Sequence, residues 1–191
     1  MVDGYYEFKY HNNKHIFFSG NLESDKYFDN IRDELLEEFS PKHDMIPENK
    51  ELYDTIFNTN SVCISIRRGD FLNPEFSKKH FICDKEYFVN AVKKMNELIE
   101  NPQYIIFSDD IEWCKKNIDF IENAKFESGN DPVWEKLRLM YSCKHFIISN
   151  SSFSWWTQYL SRNKDKVVIG PKKWKNIGVF DDIYQKNWTL L

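Results

Sequence analysis

The segment VCISIRRGD, from Val62 to Asp70, decides the fold class of this chain. Its first five residues are mostly apolar and β-branched, which is typical of a strand buried inside a sheet. Two arginines, a glycine and an aspartate follow where that strand must end. Ligands of α/β proteins bind at the carboxyl ends of the strands, and a guanidinium can hold a phosphate group through two hydrogen bonds. The segment therefore predicts an α/β protein that binds a phosphorylated ligand.

Strand-like and helix-like patterns alternate regularly after this segment. The sequence predicts strands at 61–66, 104–107, 125–127, 145–148 and 166–169, and helices at 85–100, 111–117, 132–143 and 152–160. Asp84 and Asp131 are predicted to cap the helices that follow them, with Pro132 at a first helical position. Such alternation is typical of a doubly wound, mostly parallel sheet, which places the chain in the α/β class.

Residues 1–60 lack this alternation, and we expect them to form a lead-in that packs on the core. Short strands are predicted at 5–8 and 16–18, and two helices at about 27–36 and 47–57. Residues 61–191 are expected to form the ligand-binding domain.

Composition excludes several classes of protein. The chain has 191 residues, enough for one domain, and a formal net charge of −4, which argues against a nucleic-acid partner. Its four cysteines are scattered without a C-x-x-C pair, so we expect buried thiols in a reducing compartment. The sequence shows neither an apolar run of about 18 residues nor an apolar signal core. We therefore expect a cytoplasmic protein whose contact with a membrane, if it has one, is peripheral.

The arginine pair admits two other interpretations. Arg67 and Arg68 could be an ordinary surface pair, although their position after a buried strand argues against it. Arg68, Gly69 and Asp70 also spell the cell-adhesion tripeptide, which requires an exposed loop of a secreted protein. We favour phosphate binding, with Asp70 bracing one guanidinium while the other grips the ligand.

Asp109 and Asp110 follow the second strand of the series, and three roles are open to them. Adjacent acids could hold a metal ion, but they tend to point apart and no third ligand is evident. A carboxylate could accept two hydrogen bonds from the N1–H and N2–H₂ edge of guanine. Alternatively, Asp110 caps the next helix and Asp109 is solvated.

The segment Asn150–Trp156 opens a helix directly after an apolar strand. Hydroxyl groups and free backbone N–H groups at the start of a helix form a site for a phosphate group. The alternative is a Ser/Thr-type cap followed by core aromatic residues. Since the chain also lacks a Walker loop, a G-x-G-x-x-G fingerprint and a recognisable His triad, hydrolase and NAD-enzyme interpretations have no support.

Several segments together resemble the α-1,2-fucosyltransferase family, glycosyltransferase family 11, and specifically its C-terminal, donor-binding half. The segments are Ile64–Asp70, Phe107–Asp110 with Trp113, Leu139–His145, Asn150–Trp156, Pro171–Trp174, and Gly20 with Ser24–Phe28. The resemblance covers about residues 16–175. It implies a Rossmann-like donor domain of the GT-B type at 61–191.

The resemblance also implies the reaction and its participants. It is an inverting, metal-independent transfer of L-fucose from GDP-fucose to a hydroxyl of a galactose-containing glycan, with no cofactor. Arg67 would bind the β-phosphate and stabilise the leaving GDP, with Arg68 and Asp70 as its brace. The remaining donor-binding residues would be Ser65, one or both of Asp109 and Asp110 against guanine, and Ser151, Ser152 and Phe153 along the diphosphate and base.

This chain departs from the family pattern in three respects. Ser65 stands where the family has histidine, and Lys136 stands where it usually has an acidic residue, with Glu135 adjacent. The Gly-Gly-x-Gly-Asn-Gln segment that opens the family's other half is missing from the sequence. The alternative function is therefore a non-catalytic module that binds GDP or GDP-fucose, partnered by a separate acceptor half or a membrane-associated complex. No residue is placed by the pattern to act as the catalytic base.

Overall fold

The computed structural model describes residues 5–8, 15, 17, 22–69, 73–176, 178 and 181–191. Its strands are β1 (Asn60–Ile66), β2 (Pro102–Ser108), β3 (Lys125–Phe126), β4 (His145–Ile148), β5 (Val168–Gly170) and β6 (Thr189–Leu190). Its α-helices are α1 (Arg32–Glu38), α2 (Lys50–Asn58), α3 (Pro74–Ser77), α4 (Lys85–Leu98), α5 (Ile111–Asn117), α6 (Val133–Ser142) and α7 (Ser152–Leu160). Short 3₁₀ helices lie at Asp25–Tyr27, Asp29–Ile31, Pro47–Asn49 and Asp181–Ile183.

The six strands form one sheet in the order β3-β2-β1-β4-β5-β6, and every paired neighbour is parallel. This is the strand order of the doubly wound dinucleotide-binding fold. The predicted α/β class and parallel sheet are confirmed.

Alternate side chains of the central strands enter two separate cores. One face of the sheet packs against α2, α6 and α7, through residues such as Cys63, Phe107 and Phe146. The other packs against α4 and α5, through residues such as Val62 and Ile106. Both faces are covered, which explains why these strands read as continuous apolar runs.

The boundaries of α4, α5, α6 and α7 lie within two residues of the predicted ones, whereas α1 begins at Arg32 and not at about residue 27, because two 3₁₀ helices precede it. Asp84 caps α4 as predicted, accepting a hydrogen bond from the Tyr87 N–H at 2.8 Å. Asp131 does not cap α6, so that prediction was wrong: its carboxylate accepts instead from Asn49 Nδ2 and Ser128 Oγ, both at 2.9 Å. Pro132 is the N-cap residue and not the first helical residue.

Two elements were not predicted, and the predicted strand at 5–8 is not found. The short helix α3 lies where the sequence suggested a loop, and the two-residue strand β6 lies beyond the last predicted element. Residues 5–8 form no strand, and the predicted strand at 16–18 lies mostly outside the described residues. Within the part of the chain that the structure describes, no helix is long and apolar enough to cross a bilayer.

The cysteines are free thiols. Cys63, Cys114 and Cys143 are buried, as expected, and Cys83 is half-buried. Burial raises the pKa of the Cys83 thiol to about 12, so this thiol is protonated at neutral pH.

Candidate functional site

The candidate site lies where the chain reverses the direction in which it builds the sheet. Strand β1 is central, with β2 on one side and β4 on the other. The loops after β1 and β4 therefore diverge and leave a crevice at the carboxyl edge, which is the usual ligand site of such sheets. Arg67 follows β1, and Ser151 follows β4.

Asp109 organises the loop that follows β1. Its Oδ1 accepts a hydrogen bond from the Arg68 N–H at 2.9 Å, and its Oδ2 accepts from the Gly69 N–H at 2.8 Å. The same Oδ2 lies 3.1 Å from Nη1 of Arg67. A Cβ atom at position 69 would lie 2.6 Å from Oδ2, so this contact requires glycine. Both carboxylate oxygens thus have protein partners.

Arg68 is held by two contacts. Its Nε donates to Asp110 Oδ2 at 3.3 Å, and its guanidinium carbon lies 3.4 Å from the centre of the Trp113 ring. Asp110 Oδ1 also accepts from the Trp113 N–H at 3.2 Å and so caps α5. Asp110 therefore caps α5, as one of the alternatives from the sequence predicted, and also pairs with Arg68.

Two cavities meet at Arg67. The larger has a volume of about 610 Å³ and carries Glu23, His80 and Lys175, with aromatic side chains that include Phe28 and Trp156. The smaller, of about 280 Å³, lies beside the ends of β1 and β2 and is lined by Ser65, Asp109 and Lys136 among others. The residues common to both are Arg67, Ser151 and Phe153.

The amino terminus of α7 stands at this junction. Ser151 is its N-cap residue, and the Ser151 side chain makes no capping hydrogen bond. The first N–H groups of a helix have no partner within the helix and carry its positive dipole end. Ser152 lines the larger cavity. This end of α7 can therefore accept an anionic group beside Arg67.

The positions that depart from the family pattern both lie at the smaller cavity. Ser65, in place of histidine, has its Oγ 2.6 Å from Ser154 Oγ. Lys136, in place of an acid, has its ammonium 2.8 Å from Oε1 of the buried Glu127 and donates to the Ser108 carbonyl at 3.2 Å. The adjacent Glu135 does not line either cavity.

Sequence reasoning missed the polar group in the larger cavity. Glu23 and Lys175 form an ion pair of 2.6 Å there. Burial, together with the neighbouring Lys175 ammonium, lowers the pKa of His80. Lys175 lies in the loop that follows β5, whereas Glu23 and His80 do not directly follow a strand. A search limited to the residues after each strand therefore misses Glu23 and His80.

The predicted site residues therefore divide into two groups. Ser65, Arg67, Asp109, Ser151, Ser152 and Phe153 line one or both cavities. Arg68 and Asp110 line neither and instead support the loop. Asp70 lies outside the described residues. No group of three His, Cys, Asp or Glu side chains among the described residues is placed to hold a metal ion.

Fold and crevice together define an α/β domain of the doubly wound class, with a candidate ligand site beside Arg67. The model of glycosyltransferase family 11 matches residues 3–191, and the chain belongs to this family. The recognition of that family from the sequence is confirmed.

The chain is shorter than the curated relatives that it matches. It is 36% identical over 182 residues to an alpha-1,2-colitosyltransferase of Escherichia coli, covering 91% of this chain and 62% of the relative. It is 31% identical to the O-antigen biosynthesis glycosyltransferase WbnK of the same organism, covering 76% and 51%. The chain thus spans between half and two thirds of the length of these relatives. A solved structure of the NodZ alpha-1,6-fucosyltransferase co-crystallized with GDP aligns with 71% of this chain and 58% of its own, at 14% identity and a TM-score of 0.42. That likeness is too slight to support a functional statement.

Proposed function

We propose that this chain is the donor-binding part of a fucosyltransferase, which transfers L-fucose from GDP-fucose to a galactose hydroxyl of a glycan, α-1,2 and with inversion. The observation that carries the proposal is the position of Arg67 at the junction of two cavities, beside the amino terminus of α7. A nucleotide sugar would span that junction, with its base in the smaller cavity and its sugar in the larger.

The chemistry of the transfer makes Arg67 its principal catalytic residue. As the bond between the sugar C1 and the β-phosphate oxygen breaks, negative charge develops on the departing GDP. The positive charge of the Arg67 guanidinium and the N–H dipoles at the start of α7 stabilise this negative charge. Both groups are already in place before the reaction, so they need not reorient as the charge develops. No metal ion is required in this proposal. The acceptor oxygen bonds to C1 from the opposite side, and its proton passes to a general base.

The diphosphate and the base would contact the other residues at the junction. The hydroxyl groups of Ser151 and Ser152 and the Ser152 N–H are donors for the diphosphate, while the Ser151 N–H already donates to the Ser149 carbonyl at 2.8 Å. Phe153 offers an aromatic face. Ser65 lies at the smaller cavity. The resemblance implies histidine there, so any hydrogen bond that an imidazole would make is lost or altered. The E. coli relative named for colitose suggests a second donor sugar, because colitose is fucose without its 3-hydroxyl group.

Calorimetry tests the donor site. GDP-fucose should bind to the folded chain, and Arg67→Ala should weaken binding at least roughly tenfold, the loss expected for one charge-assisted contact. Arg162→Ala is the matched control, since Arg162 lies beyond the other end of α7 and donates to the Leu36 carbonyl. Absent binding, or equal binding by Arg67→Ala, would refute the donor site.

A transfer assay then separates catalysis from binding. Purified chain is incubated with GDP-fucose or GDP-colitose and galactose-terminated oligosaccharides, and the products are identified by mass and linkage. Formation of an α-1,2 product that Arg67→Ala abolishes supports the transferase. Donor binding without any product on these acceptors supports the alternative, a GDP-sugar-binding module.

A further inference from the structure

The smaller cavity, called the slot below, has an apolar lining that suits a planar ring. Its apolar wall is made by Ile66, Phe107, Val133, Met140 and Phe153. A volume of about 280 Å³ is near the lower end of the roughly 300–1,000 Å³ typical of small-molecule sites. It suits one part of a nucleotide sugar, while the larger cavity holds the rest.

The hydrogen-bond acceptors at this slot are already engaged. Both oxygens of Asp109 accept from the backbone of the loop after β1, and one also pairs with Arg67. The hydroxyl groups of Ser65 and Ser154 bond to each other at 2.6 Å. A ring that presented two N–H donors would therefore have to share the Asp109 oxygens with the loop, since Asp109 is the only carboxylate among the described residues that line the slot.

Lys136 supplies the opposite chemistry. Its side chain is 19% exposed and its ammonium can only donate. Its nitrogen lies 2.8 Å from Oε1 of Glu127 as an ion pair, and it donates one hydrogen bond, to the Ser108 carbonyl at 3.2 Å. Among the described residues it makes no other hydrogen bond, so it keeps N–H groups for a ligand. The side chain of Glu127 is fully buried and does not line the slot. It therefore holds the Lys136 ammonium in place without contacting a ligand in the slot.

We infer that Lys136 reads the nucleobase of the donor by donating a hydrogen bond to a ring carbonyl oxygen, such as O6 of guanine or O4 of uracil. The inference rests on the proposed function, since it takes the smaller cavity as the base site. It makes Lys136 a specificity-determining residue. Adenine and cytosine carry an amino group in place of that carbonyl and would face the ammonium with a second donor. An unpaired buried donor costs about 1–3 kcal/mol, roughly a tenfold to hundredfold loss of affinity.

A panel of five nucleotides tests how the base is read. Dissociation constants of GDP, IDP, ADP, UDP and CDP are measured by calorimetry with the full chain. Hypoxanthine keeps the 6-carbonyl of guanine and lacks only its 2-amino group, so IDP should bind within about twofold of GDP. ADP should bind at least roughly tenfold more weakly than GDP, and CDP more weakly than UDP. If IDP instead binds tenfold more weakly than GDP, a carboxylate such as that of Asp109 or Asp110 reads the 2-amino group and the inference is wrong.

Variants assign the effect to Lys136. Lys136→Met should lower the affinity for GDP, IDP and UDP and leave ADP and CDP nearly unchanged, so that the preference for carbonyl bases disappears. Because this change leaves Glu127 buried without its cation, the double variant Glu127→Gln with Lys136→Met is measured as well. Lys85→Met is the matched control, since Lys85 forms an exposed pair with Asp119. Thermal unfolding confirms that each variant is folded.

The remaining outcomes separate this inference from the proposed function. An equal loss for all five nucleotides in Lys136→Met would place the ammonium on the diphosphate and overturn the inference alone. GDP binding that depends on Arg67, with an unchanged GDP to ADP ratio in Lys136→Met, would also overturn it alone. A folded chain that binds none of the five would overturn both.

Discussion

At the scale of single residues, Asp109 determines the conformation of the loop that carries Arg67. Its carboxylate joins two backbone N–H groups and one guanidinium within 3.1 Å. Charge-assisted bonds of this kind are stronger than neutral ones, and three of them fix a short loop. The reading of guanine by Asp109 stays a prediction, and it would require the carboxylate to share oxygens that already have partners.

Asp109→Asn should lower the affinity for GDP roughly tenfold to hundredfold. An amide has only one acceptor oxygen, so its NH₂ group would face one of the two N–H groups of the loop and the loop would relax. The affinity is measured by calorimetry, with Asp119→Asn as the control because Asp119 pairs with Lys85 in an exposed position. An increased affinity would show that Asp109 instead competes with the phosphate for Arg67.

The residues at the strand ends could be predicted, whereas the contact between them could not. A buried strand followed by arginines fixes where Arg67 lies, because ligands bind at that edge. The pairing with Asp109 depends on register: Ile66 of β1 lies opposite Ser108 of β2, so the residues that follow each of them become neighbours. Local patterns contain no information about register between strands that are 40 residues apart. The same limit hid the contact of Lys136 with Glu127.

At the scale of elements, Asn150 connects the loops around the larger cavity. It is buried, and its Nδ2 donates to the Phe81 carbonyl at 2.5 Å and to the Trp174 carbonyl at 2.8 Å. Its Oδ1 accepts from Cys83 Sγ at 3.7 Å. One side chain after β4 thus holds the segments that follow β1 and β5.

Asn150→Ala should weaken donor binding and lower the free energy of unfolding by about 1–3 kcal/mol, because two carbonyls lose their donor. Urea denaturation and calorimetry with GDP measure the two effects. Asn163→Ala is the matched control: Asn163 also donates to a backbone carbonyl, that of Lys144, and lines neither cavity. It should affect stability alone. Unchanged GDP binding by folded Asn150→Ala would show that the cavity does not depend on these bonds.

Elements with a long apolar signal could be predicted, and the shortest could not. Strands β1, β2 and β4 are buried on both faces over most of their length and are mostly apolar in sequence. Strand β6 has two residues, and its pairing with β5 through Ile169 and Gly170 is a tertiary effect. The prediction that Asp131 caps α6 was wrong for a similar reason. Asn49, which is distant in sequence, donates a hydrogen bond to the Asp131 carboxylate.

At the scale of the whole molecule, the two ends of α7 lie in different surroundings. Its amino terminus lies at the candidate site, and its carboxyl terminus lies where Lys166 and Arg32 donate to backbone carbonyls of Gln158, Tyr159 and Ser161. Cations at this end complement the negative end of the helix dipole. Lys166 nevertheless lies in a largely buried position beside another cation.

This burial, followed by repulsion from Arg32, lowers the pKa of Lys166 to about 8, from 10.5 in the unfolded chain. Below pH 8 the lysine is protonated in both states, and its buried charge reduces the stability of the folded state. Between pH 8 and 10.5 the folded state releases the proton first, so this penalty disappears as the pH rises. The folded state therefore has its full stability with respect to Lys166 above pH 10.5, where the lysine is neutral in both states. That stability is lost as the pH falls through about 8 and the buried lysine becomes charged.

Lys166→Met removes this titration. The free energy of unfolding of the wild type, measured relative to the variant by urea denaturation, should rise by about 1–3 kcal/mol between pH 7.5 and 10. Taking the difference cancels the other groups that titrate in this range, such as cysteine and tyrosine. Lys164→Met is the control, because Lys164 is exposed and its removal should leave the pH dependence unchanged. A constant difference between wild type and Lys166→Met across this range would mean that the Lys166 ammonium is as well accommodated in the folded state as in water.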